Sequence, residues 1–406
     1  MPYDFVTHVE RRACGSSKWD AMLRECPDVP AGTVPLSVAD MELLNPPEVT
    51  AALHELVDAG PLGYTEATPR FLDACVSWQR RRHGWSPDPS WIVTSPGVIP
   101  ALYAAVRALT EPCDAVIVQP PVYGPFSAAV RDNGRTLVES PLVCTDGRWE
   151  MDFDGLECAC AEKGTTMLIL CSPHNPVGRV WTAEELRRVI DICSAHGVTI
   201  VADEIHDDLV MAGHTHHTLM SLMDESERAH AVVCTAPSKT FNLAGCQASV
   251  IYVASPELRE RLSTSFSAIG QHGLNAFAYT ATTAAYERCE AWLDELLALV
   301  EKNYRLLRSW TDEKHPELVV ADLEGTYLAW VDFRAWGMDP NELERFLKDE
   351  ARLWLSDGRA FGARGAGFGR VNLACPTEVL LAALSRLDEA CARCQVPAAR
   401  TGEERA

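Results

Sequence analysis

The sequence predicts an α/β fold: a large domain on a mainly parallel central sheet, joined to a smaller α/β unit. Three observations carry this. First, the runs Ala115–Val118, Met167–Cys171 and Val198–Ala202 are short, apolar, β-rich and bounded by turn or polar residues, the pattern of strands buried on both faces. Second, Thr182–Cys193, between the last two runs, has helical periodicity. Thr182 and Glu185 form a capping box, and Leu186, Val189, Ile190 and Cys193 share one apolar face. Strand, helix, strand in that order implies a parallel βαβ unit. Third, 406 residues exceed the size at which one hydrophobic core stops growing, so a large and a small domain are expected.

The remaining elements follow along the chain. Trp91–Thr94 reads as a strand that opens, through Ser95-Pro-Gly97, into a helix over Val98–Leu109. Ala231–Thr235 and Ser249–Val253 read as strands that bracket Lys239. A helical pattern over about 276–310 leads out of this sheet. Strands follow near Leu318–Val320 and Tyr327–Phe333, then a helix at about 340–351, a Gly-rich stretch Gly358–Gly369, a strand Arg370–Leu373 and a last helix from Glu378. The expected division is a large domain at 47–285, a small domain from 1–46 with 286–395, and a flexible tail at 396–406. No internal repeat is visible.

Composition narrows the function. Hydrophobic residues make up 47% and charged residues 23%, as in an ordinary globular protein. The formal charge of −21 argues against nucleic acid and against an anionic membrane surface. No apolar run reaches the roughly 18 residues of a membrane span. The start, Met1–Val6 followed by Glu10-Arg11-Arg12, lacks the apolar core of a signal peptide, so a cytoplasmic location is expected. The 15 cysteines are scattered, and Cys171, Cys193 and Cys234 lie in apolar runs, as reduced core residues do. Cys391 and Cys394 form a single C-x-x-C without a second pair. His214, His216 and His217 sit in what reads as an exposed loop without a completing carboxylate. No metal is expected.

Open α/β sheets place ligands at the carboxyl ends of their strands, so the residues there are the candidates. Asp203 directly follows Val198–Ala202; it could hold a heterocyclic nitrogen protonated, or serve as a helix cap or structural ion pair. Lys239, in Ala236-Pro-Ser-Lys-Thr-Phe-Asn, could form a Schiff base where its pKa is lowered, or simply be exposed. Asn175, in Asn-Pro-Val-Gly178, could bond an aromatic hydroxyl oxygen or stabilise its own turn. Gly97 and Val98 open a helix whose early N–H groups suit a phosphate, though a plain strand-to-helix turn fits equally well.

Asn in N-P-x-G, Asp in D-E-I-H and Lys in P-S-K-T-F-N, in this order on alternating strands and helices, resemble the fold type I, aspartate aminotransferase-like enzymes that use pyridoxal 5′-phosphate (PLP). Ser17–Asp20, Val38–Met41, Gly63–Thr65, Pro96–Leu102, Pro120–Phe126, Gly325–Trp330 and Arg370–Pro376 resemble the MalY/PatB branch of cystathionine β-lyase-type C–S lyases, so the likeness runs from about residue 15 to 390. The resemblance implies that Lys239 carries the cofactor and moves protons, that Asp203 pairs with the pyridinium nitrogen, and that Asn175 and His206 lie near the phenolic oxygen. It implies Tyr123 stacked on the ring, with Gly97, Val98 and Ser238 at the phosphate. Arg370 would clamp the substrate carboxylate, with Asp40 and Tyr327 on the substrate side. Tyr64 would reach the phosphate from a partner subunit, implying a homodimer with shared sites. Read alone, it fits a core or interface tyrosine equally well.

Some positions depart from that pattern. Gln247 and Ala236 replace an Arg and a Ser common in the wider family, and Thr377 stands where an Arg commonly follows Ala-Cys-Pro. Ser37, Glu42 and Leu43 depart from the branch in a segment expected on the substrate side. The implied reaction is α,β-elimination from a cysteine S-conjugate or cystathionine-like amino acid, giving a thiol, pyruvate and ammonia, with Tyr123 or Tyr64 protonating the leaving thiolate. Transamination, or decarboxylation-linked chemistry on a specialised conjugate, is the alternative. A regulatory scaffold would have no need of Lys239, Asp203, Asn175 and Tyr123 together, and no G-x-G-x-x-G supports a dinucleotide site.

Overall fold

The computed structural model describes residues 3–145 and 147–396, so the tail expected at 396–406 lies, apart from Val396, outside the described residues. Nine of the strands lie between residues 92 and 252. They are β1 (Ile92–Ser95), β2 (Ala115–Val118), β3 (Thr136–Glu139), β4 (Val143–Thr145), β5 (Arg148–Glu150), β6 (Thr165–Cys171), β7 (Thr199–Asp203), β8 (Ala231–Thr235) and β9 (Ser249–Tyr252). Seven of them form one sheet in the order β1-β9-β8-β7-β6-β2-β3, and β4 and β5 pair as a separate hairpin.

The pairs β8–β7, β7–β6, β6–β2 and β2–β3 are parallel, while β9 runs antiparallel to both β8 and β1. The carboxyl ends of β1, β2, β6, β7 and β8 therefore meet at one edge of the sheet, together with the start of β9. The helices between the parallel strands form for local reasons. Helix Ala183–His196 starts at the Thr182–Glu185 capping box and stops at Gly197, whose φ of 66° suits glycine. It buries Leu186, Val189, Ile190 and Cys193. Helix Val98–Leu109 buries Val98, Ala101, Leu102 and Val106. Each fully buried Leu or Val of this kind contributes about 1.5–3 kcal/mol.

The second sheet comprises β10 (Val319–Val320), β11 (Leu328–Asp332), β12 (Ser356–Asp357) and β13 (Phe368–Asn372), ordered β10-β11-β13-β12 and antiparallel throughout. The N-terminal segment attaches here. Leu36 N–H donates to the Trp354 carbonyl, and Asn372 N–H donates to the Leu36 carbonyl. Helix Ser17–Glu25 packs Trp19 and Met22 into a small core with Trp354.

Several expectations need correction. The helical pattern over 276–310 is two helices, Ala276–Arg288 and Glu290–Lys314, broken at Cys289 (φ −108°, ψ 21°). The segment expected as a helix to about 351 is helical to Glu350, but it changes from α-helix to π-helix after Arg345, over Phe346–Glu350. His216 is buried, not on an exposed loop, because its Nε2 pairs with Glu204 Oε2 at 3.1 Å. Cys171, Cys193 and Cys234 are buried as expected. Among the described residues no helix is long and apolar enough to cross a membrane.

Candidate active site

A cavity of about 530 Å³ opens at the edge where the parallel strands end, with β12 and β13 as its opposite wall. The two walls meet closely. Val122 N–H donates to the Phe361 carbonyl, and a Cβ on Gly124 would lie 2.6 Å from the Ala360 oxygen, so glycine is required there.

Each candidate arrives on its own element. Gly97 and Val98 follow β1. The φ of 127° at Gly97 suits glycine, and no side chain caps the helix, which leaves its first N–H groups to a ligand. Tyr123 comes from the loop after β2 and lines the cavity. Asn175 comes from the turn after β6. Arg179 fixes that turn by bonding Glu324 Oε2 at 2.8 Å, and the same oxygen accepts from Val180 N–H. Asp203 is the last residue of β7, rather than the residue after it, and His206 follows one turn later.

Ser238 and Lys239 lie on the short helix Pro237–Thr240 after β8. Arg370 comes from β13, across the cavity. Its Nη1 donates to Asn175 Oδ1 at 2.8 Å and its Nη2 to Ser356 Oγ at 3.1 Å, while its Nε is buried without a partner. The Phe361 ring lies under the guanidinium, 4.8 Å away.

Electrostatics follow from burial. Asp203 is pushed up to about 7, chiefly by burial, against the opposing effects of the Ile205 N–H bond and the Lys239 charge. Lys239 is pushed down to about 8, first by burial and then by Arg370, with Asp40 and Asp203 opposing. His206 is held well below its usual value by burial, Lys239 and Arg370, so it is neutral. Burial raises the Tyr123 phenol, which keeps its proton.

Three expected residues do not line the cavity. The Asp40 carboxylate turns toward Arg11 Nη2 (3.0 Å) and Lys18 Nζ (3.2 Å). Tyr327 is buried behind His206, ring centroids 6.1 Å apart, and its hydroxyl donates to the Ala39 carbonyl. Tyr64 is fully exposed, and nothing in a single chain brings it to the cavity. The sequence reading assigned no site role to Val38, Ala39, Ser356 or Phe361, which all line it. Val38 and Ala39 belong to a motif already quoted, whereas Ser356 sits on a two-residue strand without any pattern to mark it.

The residues fit PLP. The uncapped helix start and Ser238 offer donors to a phosphate. Among the described residues buried Asp203 has no ion-pair partner, and a protonated ring nitrogen would supply one. The unpartnered buried nitrogens of His206 (Nδ1) and Arg370 (Nε) are donors or acceptors awaiting a ligand.

Beneath the cavity floor, Asp208 accepts from Thr240 Oγ1 (2.8 Å) and Trp78 Nε1 (3.0 Å), and pairs with His83 Nε2 (3.0 Å). This buried group anchors the residue beside Lys239. His83, Asp207 and Asp208 lie close enough together to hold a metal, but the Asp208 oxygens are already taken by these donors.

The model of the class I and II aminotransferase family matches residues 31–387. The chain is 41% identical to cystathionine beta-lyase PatB of Bacillus subtilis (strain 168), over 95% of this chain and 99% of that protein. It is similar to cystalysin from Treponema denticola, whose crystal structure contains pyridoxal 5′-phosphate, with a TM-score of 0.95 and 40% identity over 97% and 100% of the two chains. It is also similar to the PLP-bound C-S lyase from Staphylococcus hominis, with a TM-score of 0.88 and 28% identity over 96% and 98%.

Proposed function

The chain belongs to the class I and II aminotransferase family, and on that premise we propose that it is a PLP-dependent carbon–sulfur lyase acting on a cysteine S-conjugate or cystathionine-like amino acid. The observation that carries the proposal is the convergence of Lys239, Asp203, His206, Asn175 and Arg370 on one cavity. That cavity lies in a chain similar to C–S lyases over nearly its whole length.

When bound, the cofactor supplies an electron sink for the charge that develops at the substrate Cα. Arg370 binds the substrate carboxylate, Nη1 and Nη2 each keeping a second N–H beyond the bonds to Asn175 and Ser356. Lys239 Nζ takes the proton from Cα, and a pKa near 8 lets it act as base and acid around neutral pH. As the Cα–H bond breaks, a Cα–Cβ double bond forms and sulfur leaves with the Cβ–S electron pair. Tyr123, which retains its phenolic proton, donates it to that sulfur. Tyr64, the other candidate donor, would act from a partner subunit. Asp203 would pair with the ring nitrogen, and the neutral His206 and Asn175 would bond the ring oxygen; all three line the cavity. Gly97, Val98 and Ser238, which line the cavity, would hold the phosphate. In sum, one S-conjugate and one water give one thiol, one pyruvate and one ammonia.

The reading includes a homodimer with shared sites, located in the cytoplasm. Tyr64 and Leu62 are exposed between helix Pro47–Asp58 and helix Pro69–His83, and a partner surface would cover them. Transamination would use the same Lys239, Asp203 and Arg370 and differs in its products. The test is therefore chemical. The PLP-loaded protein should release thiol and pyruvate from an S-substituted cysteine, and Lys239→Ala should abolish both. Consumption of substrate without thiol overturns the proposal.

A further inference from the structure

A second cleft, of about 1050 Å³, lies between the β4–β5 hairpin and strands β10, β11 and β13 of the small sheet. It shares no lining residue with the cavity that holds Lys239. Gly147, in the hairpin turn, meets the small sheet closely, since a Cβ there would lie 3.0 Å from Val319 Cγ1.

Aromatic rings line the cleft. Trp330 and Phe368 stack in parallel with centroids 5.0 Å apart, and Trp149 packs against Phe368 at 6.0 Å. Two polar atoms of its lining residues are buried without a partner among the described residues. They are Trp330 Nε1, a donor, and Glu317 Oε2, an acceptor. The other Glu317 oxygen is committed, for Oε1 accepts from Trp336 Nε1 at 2.8 Å and meets His315 Nδ1 at 3.3 Å. Cations line the cleft as well. Arg334 lies over the Phe368 ring at 4.7 Å and gives Nε and Nη2 to Asp332, which leaves Nη1. Arg364 is exposed and forms no ion pair among the described residues. A buried carboxylate oxygen and an indole N–H left unpaired cost free energy that a ligand with matching groups recovers.

We propose that this cleft is a second ligand site, for an aromatic zwitterion of the amino-acid class, and that its occupant acts on Arg370. The ligand's ring packs on Trp149, Trp330 and Phe368, its ammonium pairs with Glu317 Oε2, and its carboxylate takes Arg364 together with the spare N–H groups of Arg334 and Trp330. The link to Arg370 is short. Trp330 stands opposite Arg370 across the β11–β13 pair and meets Phe361 edge-on at 5.4 Å, and Phe361 lies under the Arg370 guanidinium. A ligand that fixes Trp330 therefore alters the seat of the carboxylate-binding group. The site itself does not depend on the lyase reading.

The test uses the PLP-loaded full chain and N,N-dimethyl-L-phenylalanine. This probe keeps the ring, the carboxylate and an ammonium N–H, but its tertiary amine forms no imine with the cofactor. Calorimetry should show saturable binding at one probe per chain, with a Kd of about 1 mM or lower. 3-Phenylpropionate, which lacks the ammonium, and N,N-dimethylphenethylamine, which lacks the carboxylate, should each bind about tenfold more weakly. Arg364→Ala, at an exposed position, should weaken the probe about tenfold, and Trp330→Phe, which keeps a ring and loses the N–H, about threefold or more. In turnover of an S-substituted cysteine, the saturating probe should change KM by about threefold or more. Arg364→Ala should remove that change and leave the KM without probe unaltered. Absence of saturable binding overturns the inference. Binding equally tight in both variants places the probe elsewhere and overturns it too. Binding that both variants weaken but that leaves KM unchanged supports the site and overturns its link to Arg370. Calorimetry needs no turnover, so failure of the lyase reading leaves the test of the site intact.

Discussion

Lys239 Nζ donates a hydrogen bond to the Ala39 carbonyl at 2.6 Å, and that carbonyl also accepts from the Tyr327 hydroxyl at 3.0 Å. The lysine is thus aimed across the cavity floor at a strap, residues 38–43, from the other end of the chain. Asn242 fastens the strap from the Lys239 side, accepting from Met41 N–H and donating to the carbonyls of Met41 and Leu43.

Burial gives the first prediction. Only the neutral amine attacks an aldehyde, and Lys239 loses its proton near pH 8 instead of at its ordinary 10.5. Cofactor capture by the apo-protein, followed by rapid-mixing absorbance, should accelerate as pH rises through about 8 and then level off. A midpoint near that of a free lysine would contradict the burial argument.

Asp203 gives a stability prediction. Its folded pKa, about 7, lies above its ordinary 3.8, so the folded apo-protein binds the extra proton. The stabilisation is complete below pH 3.8 and is lost as pH rises through 7. Asp203→Asn removes this dependence. Compared with the parent, the apo-variant should gain stability from pH 4 to pH 7, on the order of 3 kcal/mol by thermal or urea unfolding. The loaded variant should lose about 100-fold or more in kcat, because Asn cannot keep a ring nitrogen protonated. A constant stability difference across this range would remove the buried-carboxylate account.

Arg370 is held in place by Asn175 and Ser356, with a second N–H left on each of Nη1 and Nη2. Arg370→Lys keeps a charge but loses the planar fork, about 1.5–3 kcal/mol of carboxylate binding. Steady-state kinetics should show KM up by about tenfold or more with a smaller change in kcat. An unchanged KM would move the carboxylate site elsewhere.

Asp208 is the structural counterpart. Asp208→Ala leaves Thr240 Oγ1, Trp78 Nε1 and His83 without their acceptor in the core. Urea unfolding should show a loss of about 3–5 kcal/mol, and a loss under about 1 kcal/mol would mean that the network relaxes at little cost.

The strand-end residues were legible in the sequence because periodicity locates the buried strands and a parallel sheet brings their ends together. Asp203, Asn175 and Lys239 follow from that rule, and the order of their motifs supplied the chemistry. The strap carries a recognisable motif, yet the sequence does not reveal that Val38 adopts a left-handed backbone, because residues more than 300 positions away, Ser356 and Asn372, hold it there. Glu42, noted as unusual, proves to be buried against Lys18 and Trp19, so it anchors the strap instead of facing the cavity. The break at Cys289 has no Gly or Pro to announce it, and the segments on both sides are helical. His216 looked exposed because its partner, Glu204, belongs to the loop after β7 and not to its own neighbourhood.

The central claim is that the bond broken after the Cα proton leaves is Cβ–S. The most direct measurement is a single turnover of the PLP-loaded protein with an S-substituted cysteine, with thiol, ammonia and keto acid quantified per active site. Elimination predicts equal amounts of thiol, ammonia and pyruvate. A keto acid that still carries its sulfur substituent, with no thiol and with the amino group retained on the cofactor, would contradict it.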